Sequence, residues 1–414
     1  MEGERLHIGL IGLDLWLGGA TYVHNLIRAL LRLTDQERPR ITLFCRNRTD
    51  LYEEVVPLVD KVICYRTRPA DVLGNRALTR VAEVAKGFVS ANCFGDSKPE
   101  LSRAVRKERV DCIYPVCESP VSLPNPIDWI PDVQHCLLPE NFPWFTRKIR
   151  DRKFAAQLNQ SGGHVVFSSQ SALDSAIGVY GVPRAKTHIL RFVTVPEDSW
   201  YGDPAPVMAR HKIPAEFFIV CDQFWIHKDH PTAFRAVAKL AREGKKIHLV
   251  CTGPVKDHHH PGYIAGLKSE IRQLGVESQV QILGTLPRPE QMALVRASQA
   301  VIQPSRFEGW SSIVEEAKAF GKAVILTDHP VHQEQAAANF FYFRAGDPGD
   351  CARAIAEFSE RQTSEPFKPE SHDMRMDDFA RTFIGIAYQA TGAGPRSIQQ
   401  DLSHGDSRLG VRAG

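Results

Sequence analysis

Short apolar runs alternate along this chain with segments whose apolar residues recur every three or four positions. The runs His7–Leu13, Ile41–Cys45, Val62–Tyr65, Cys112–Val116, Ile127–Trp129, His164–Ser168 and His188–Leu190 predict strands. Between them the patterns at Thr21–Leu33, Arg76–Phe88, Glu100–Lys107, Trp144–Gln160 and Ala172–Tyr180 predict helices. The alternation then restarts with strands at Phe217–Cys221, Ile247–Cys251, Val280–Leu283 and Ala300–Gln303. Helices are predicted at Pro231–Arg242, Tyr263–Leu274 and Pro289–Ala297. Two successive β/α sets predict an α/β protein of two doubly wound, Rossmann-like domains, each with its strand carboxyl ends open to a ligand. The expected layout is a first domain over 1–195, a linker over 196–210 around the proline-rich Pro196–Pro206, and a second domain over 211–370. A terminal helix over 371–391 follows, from the pattern Met374–Gln389, and then a Gly-, Ser- and Arg-rich disordered tail over 392–414.

Composition narrows the classes without choosing among them. A chain of 414 residues exceeds what one core usually supports, and 43% apolar with 24% charged residues is ordinary for a globular protein. A net charge of +3 gives no argument for a nucleic-acid partner. The nine cysteines are dispersed with no C-x-x-C pair, which reads as reduced thiols in a cytoplasmic protein. No apolar run is as long as a membrane span, and the first strand runs straight into a glycine loop, unlike a signal peptide.

The candidate chemistry lies in Ser305–Lys322, S-R-F-E-G-W-S-S-I-V-E-E-A-K-A-F-G-K, between the apolar runs Ala300–Gln303 and Ala323–Leu326. Ser312 and Glu315 have capping-box spacing, so a helix is expected to start near Ile313 with Glu315 as a cap residue and Glu316 left for other work. Backbone N–H groups at Gly309, Trp310, Ser311 and Ser312, backed by the helix dipole, form an expected phosphate site. A loop carboxylate before that site, Glu308, and another on the first helical turn, Glu316, suit a sugar nucleotide, one acid for the sugar and one for the ribose. In the first domain, Gly18 and Gly19 are expected between a strand and a helix, where backbone can approach a phosphate closely. A full G-x-G-x-x-G is absent, which argues against a dinucleotide site.

The order E-x7-E from Glu308 to Glu316, inside E-G-W-S-S-I-V-E-E-A, resembles the signature of the family-four retaining glycosyltransferases of the GT-B fold. The resemblance implies two Rossmann-like domains facing across a cleft, with the terminal helix crossing back onto the first. It further implies a metal-independent hexosyltransferase with a nucleotide-diphosphate sugar as donor substrate and no cofactor. Gly19 would face the donor diphosphate. Lys228, in Q-F-W-I-H-K, would stabilise the leaving diphosphate, with Gln223 in the place where the family usually has Arg. Leu283–Gly284–Thr285–Leu286 is similar to the family turn whose backbone reads the nucleobase edge, and a plain strand-to-helix turn with Pro289 near the helix start explains it equally. The family's His-Asp pair is replaced by Pro131-Asp132, so either His135 takes the place beside the sugar or the role is vacant.

Backbone reading of a base leaves UDP, GDP and ADP open, while similarity to mannosyltransferases of bacterial polysaccharide assembly suggests GDP-mannose. The acceptor would be a glycan, lipid-linked or small-molecule hydroxyl. A catalytically silent GT-B partner subunit and a GT-B nucleotide-sugar epimerase remain alternatives. His24 reads as packing or polar surface, and His227 and His230 as solvent-facing. The run His258–His260 is given no metal. The basic run Arg147, Lys148, Arg150, Arg152 and Lys153 after Phe142, Trp144 and Phe145 reads as a solvated helix face. Its second reading is peripheral contact with anionic lipid at the inner membrane surface.

Overall fold

A computed structural model describes residues 5–13, 17–45, 52–65, 98–117, 123–255, 260–361 and 372–392. The first sheet contains β1 (His7–Ile11), β2 (Arg40–Cys45), β3 (Lys61–Cys64), β4 (Cys112–Val116), β5 (Pro126–Ile130), β6 (His164–Phe167) and β7 (Lys186–Ile189). Its helices are α1 (Leu17–Leu30), α2 (Lys98–Glu108), α3 (Gln134–Leu137), α4 (Trp144–Asn159) and α5 (Gln170–Tyr180). After α6 (Ala205–His211) the second sheet contains β8 (Phe218–Cys221), β9 (Leu249–Thr252), β10 (Val280–Gly284), β11 (Ala300–Gln303), β12 (Ala323–Thr327) and β13 (Phe340–Phe343). Its helices are α7 (His230–Arg242), α8 (Tyr263–Leu274), α9 (Arg288–Ala297), α10 (Ser312–Ala319), α11 (Pro330–Glu334) and α12 (Pro348–Arg361), and the chain returns through α13 (His372–Thr391).

The strand orders are β3-β2-β1-β4-β5-β6-β7 and β10-β9-β8-β11-β12-β13, with parallel pairing throughout. Order reverses between β1 and β4 and between β8 and β11, and these switch points are where a doubly wound sheet leaves a crevice for a ligand. The expected two-domain α/β architecture is therefore present. Apolar strands such as β1, β4 and β12 are buried along their whole length because helices cover both faces. The predicted helix Arg76–Phe88 and tail 392–414 lie outside the described residues, Gly392 excepted, as do His258 and His259.

Two local expectations change. Helix α1 starts at Leu17, so Gly18 and Gly19 occupy its first turn and not a preceding loop. The stretch Pro196–Pro206 is folded rather than bare chain: residues Asp198–Tyr201 form a 3-10 turn whose Trp200 is buried in the second domain beside Phe217 and Val207.

Helix α13 packs on the first domain. Met376, Phe379, Phe383 and Ile384 share a core with Tyr22, Leu26, Tyr114 and Trp129 of the first domain. Tyr22 stacks on Trp129 with centroids 4.5 Å apart, and Tyr114 meets Phe383 at 5.0 Å. Arg32 pairs with Asp373 and Asp377, both at 2.9 Å. Among the described residues no helix is long and apolar enough to cross a membrane. Because Phe383 is fully buried in the first-domain core, Phe383→Ala is expected to lower unfolding stability by about 3–5 kcal/mol. Urea unfolding followed by tryptophan fluorescence checks it, and an unchanged midpoint would mean that α13 is not part of that core.

Candidate active site at the sheet switch points

The β8 strand ends at Cys221, and its next residues turn the chain through a short 3-10 segment, Ile226–Lys228. That turn brings the Lys228 ammonium to 2.8 Å from Asp222 Oδ1 and 2.6 Å from Glu308 Oε1, the latter in the loop after β11. Gln303, the last residue of β11, donates from Nε2 to Glu308 Oε1 (3.0 Å) and to Ser311 Oγ (2.9 Å). The three charged side chains are 13, 10 and 7% exposed for Lys228, Glu308 and Asp222. A single cation thus lies between two carboxylates at the reversal point of the second sheet.

Burial and charge act on these groups in opposite directions. Burial raises the Glu308 pKa, but the Lys228 ammonium, hydrogen bonds and nearby His332 outweigh it and hold the carboxyl below its usual value. Asp222 is pushed up to about 6 by burial, helped by Glu308 and opposed by Lys228. For Lys228 burial favours the neutral amine, and the two acids overcome it, so the ammonium is held charged. His332 is fully buried and is lowered to about 4 by burial; its Nδ1 lies 3.0 Å from Thr327 Oγ1 and its Nε2 has no hydrogen-bond partner.

Glu316 sits on the first turns of α10, buried and paired with the Arg288 guanidinium at the start of α9. Burial raises its pKa although Arg288 opposes the shift. Arg288 also lies over the Trp200 ring at 5.0 Å and donates to Gln291 Oε1 at 2.8 Å. Gln291 in turn donates to Thr252 Oγ1 at 2.9 Å at the end of β9. Gly253 next to it has φ +141°, and a Cβ there would overlap the Asp222 carbonyl, so only glycine lets these two loops pass.

The expected capping box does not form. Helix α10 starts at Ser312, with Ser311 as its cap residue and no side-chain cap bond. Ser311 Oγ is turned to Gln303, and its N–H donates to Gln335 Oε1 at 3.2 Å, so that N–H is not free for a phosphate. Glu315 accepts from Gln335 Nε2 at 3.0 Å and pairs with Arg375 of α13, which draws it away from the helix start. The preceding residues are an interdomain joint. A Cβ on Gly309 would overlap the Pro131 carbonyl and stand 3.0 Å from the Asp132 Cβ. The Gly309 carbonyl accepts from Ser169 Oγ at 2.9 Å, the same serine whose oxygen caps α5 by accepting from the Ala172 N–H. Trp310 is buried against Phe192, and its indole N–H donates to the Phe192 carbonyl at 3.0 Å. Its ring belongs to the joint and not to an open ligand surface.

The remaining sequence-derived candidates divide. Gln223 stands between Asp222 and the Lys228 turn, half-buried. Leu286 precedes α9, half-buried against the second-domain core, with Pro289 in the first turn of that helix. Gly18 and Gly19 begin α1 behind the end of β1. Pro131 and Asp132 meet the loop of Glu308, while the His135 imidazole is buried with Asp151, Cys136 and Tyr180 on the first domain. His227 and His230 are buried, His230 stacked on Phe224 at 4.3 Å, where an apolar wall lowers its pKa to about 3. Asp222, Arg288, Gln303 and His332 were missed. Asp222 had a signal, an acid directly after an apolar strand, and Arg288 stands between two prolines at the start of α9.

The raised pKa of Asp222 has a definite sign. The folded state binds this proton more tightly than the unfolded chain does, so this group's contribution is largest near pH 4 and is lost as pH rises through about 6. Glu308 contributes the opposite way, losing stability as pH falls below 4.5. Asp222→Asn removes the first titration and leaves that of Glu308 below pH 4.5. The melting temperature of the variant minus that of the wild type is expected to grow between pH 4 and pH 7, and a flat difference would refute the assignment.

Residues 209–380 match the family described as glycosyl transferases group 1. No curated protein matches the chain by sequence. Among solved structures, a glycosyltransferase from Rickettsia africae superposes with a TM-score of 0.66 at 15% identity, covering 94% of this chain and 99% of its own. Anabaena HepE, solved in complex with UDP and glucose, gives 0.59 at 16% identity over 94% and 96%. Sucrose-phosphate synthase from Thermosynechococcus elongatus gives 0.60 at 14% identity over 93% and 97%. The chain has the GT-B fold, and the match to the group 1 glycosyl transferases is confined to residues 209–380.

Proposed function

We propose that this protein is a retaining, metal-independent hexosyltransferase that moves a sugar from a nucleotide-diphosphate sugar to a hydroxyl acceptor in polysaccharide or glycolipid assembly. The observation that carries the reading is the pairing of Lys228 with Glu308 at the switch point, with Glu316, paired to Arg288, on the helix that follows. A nucleotide sugar needs a cation for its diphosphate, a carboxylate for its sugar hydroxyls and another for its ribose, and these groups supply all three.

In this reading Lys228 turns toward the diphosphate as the donor enters, and the new ion pair offsets the carboxylate contacts it gives up. The bond from the sugar's C1 to the diphosphate oxygen breaks, and the electron pair goes to that oxygen beside Lys228. Glu308, kept ionised, holds sugar hydroxyls and stabilises the positive charge growing at C1. The acceptor oxygen bonds C1 on the face the diphosphate leaves, and its proton passes to the leaving phosphate. Glu316 accepts from the ribose hydroxyls, with Arg288 turned from it to a phosphate oxygen or retained on the carboxylate's second lone pair. Gly19, at the positive end of α1, faces the diphosphate from the first domain. Anabaena HepE, solved in complex with UDP, supports a uridine nucleotide as the first donor to test, with GDP-mannose next.

A panel of UDP-, GDP-, ADP- and dTDP-sugars without added metal tests the donor site: at a hundred times the dissociation constant the matching donor stabilises the fold by about 2.7 kcal/mol, read as a melting shift. No shift with any donor, in folded protein, would favour a catalytically silent subunit. Glu308→Ala is expected to lower kcat by about 10²-fold or more with a normal circular dichroism spectrum. Near-normal turnover by that variant would remove Glu308 from the chemistry.

A further inference from the structure

The imidazole expected beside the sugar is part of a different construction. His135 Nε2, Cys136 Sγ, Asp151 Oδ1 and the Tyr180 hydroxyl form a closed set on the first domain. The six separations are His–Asp 3.2 Å, His–Cys 3.3 Å, His–Tyr 3.1 Å, Cys–Asp 3.2 Å, Cys–Tyr 3.4 Å and Asp–Tyr 2.9 Å. Six near-equal edges between four atoms describe a tetrahedron. An edge of this size puts the centre about 2.0 Å from each vertex, the bond length of zinc to nitrogen and oxygen, and a slight opening at sulfur reaches its about 2.3 Å.

With one proton to each bond, hydrogen bonding accounts for at most three of these six contacts. With Asp151 ionised the group holds at most three protons, on the thiol, the phenol and one ring nitrogen, for six contacts. The surplus contacts bring lone pairs together. A cation at the centre accounts for all four vertices at once. Mixed imidazole, thiolate and carboxylate donors in tetrahedral array are the chemistry of zinc(II).

We propose that His135, Cys136 and Asp151 bind one zinc(II) ion, with the Tyr180 oxygen at the fourth vertex. Binding releases the thiol proton to solvent and leaves the thiolate on the metal. Asp151, whose side chain is 46% exposed, is the entry side, while His135 is fully buried. The His135 ring is fixed by Phe154 and Phe142, at centroid distances of 5.3 and 6.4 Å, and its Nδ1 has no hydrogen-bond partner. Packing therefore takes the orienting role that a second-shell carboxylate usually fills. The ion would tie α3 to α4 and α5, three residues after the Pro131–Asp132 pair that meets Gly309. It is a structural site outside the donor cleft and does not depend on the glycosyltransferase reading.

The full chain, reduced and without an affinity tag, is loaded with zinc(II), dialysed and its metal counted by mass spectrometry. About one zinc per chain is expected, falling below a fifth of that in Cys136→Ser and Asp151→Asn. Glu54→Gln should keep it; that change disables His24, Glu54 and Glu197, whose donor atoms also approach within 4.8 Å of one another. Cobalt(II) in place of zinc should give an intense thiolate charge-transfer absorption that Cys136→Ser removes. If Cys136→Ser fails to fold, the cobalt band in wild-type protein decides the matter. Folded wild-type protein with no stoichiometric zinc, zinc retained in both ligand variants, or a cobalt complex without the thiolate band would each overturn the site.

Discussion

The ammonium of Lys228 is the constraint on which the donor side of the cleft depends. It lies between Asp222 and Glu308, one from the loop after β8 and one from the loop after β11, so it joins the two strands that flank the switch point. Without it two buried carboxylates would face each other, and removing one partner of a buried ion pair costs about 3–5 kcal/mol. The loops are therefore held in place by a charge that has a reason to leave when a diphosphate arrives. Stability of the empty cleft and readiness for an anionic substrate come from the same group.

The two domains meet through small, specific contacts. Gly309 lets its loop lie against the Pro131 carbonyl, Ser169 both caps α5 and binds the Gly309 carbonyl, and Trp310 is seated against Phe192. On the same side Glu334 accepts from the N–H groups of Gln170 and Ser171 and pairs with Arg191 at 2.9 Å. The E-G-W segment is thus part catalytic candidate and part fastener, with Glu308 turned to Lys228 while the next two residues hold the other domain. Any movement of the joint is transmitted to the carboxylate one residue away.

Much of the fold was legible because β/α alternation leaves a strong period. Cys112–Val116, Tyr263–Leu274 and Ala300–Gln303 have the expected bounds. Misses arose where tertiary contacts override local rules. Ser312 and Glu315 have the spacing of a capping box, but Arg375, sixty residues later in the chain, takes Glu315, and Gln335 takes the Ser311 N–H. The Lys228–Glu308 contact joins residues 80 apart, which motif order suggested and no periodicity could show. Burial of His230 was hidden because a polar residue at the start of a helix gives no sign of the Phe224 ring above it. His135 and Cys136 are adjacent and lack any ligand spacing, so their meeting with Asp151 and Tyr180 needed the packing of α3 on α4 and α5.

The return of α13 has a consequence for how the chain is made. Domains usually fold as the ribosome releases them, the N-terminal one first. Here the core around Tyr22, Tyr114 and Trp129 is closed by Met376, Phe379 and Phe383, which emerge near the end of synthesis. Among the described residues, the cores of the second sheet draw on those from Trp200 to Phe358. Translation order and completion order are therefore reversed: the later-made domain can close first, while the earlier one keeps an apolar face uncovered until the last helix arrives. That interval exposes the nascent chain to chaperones.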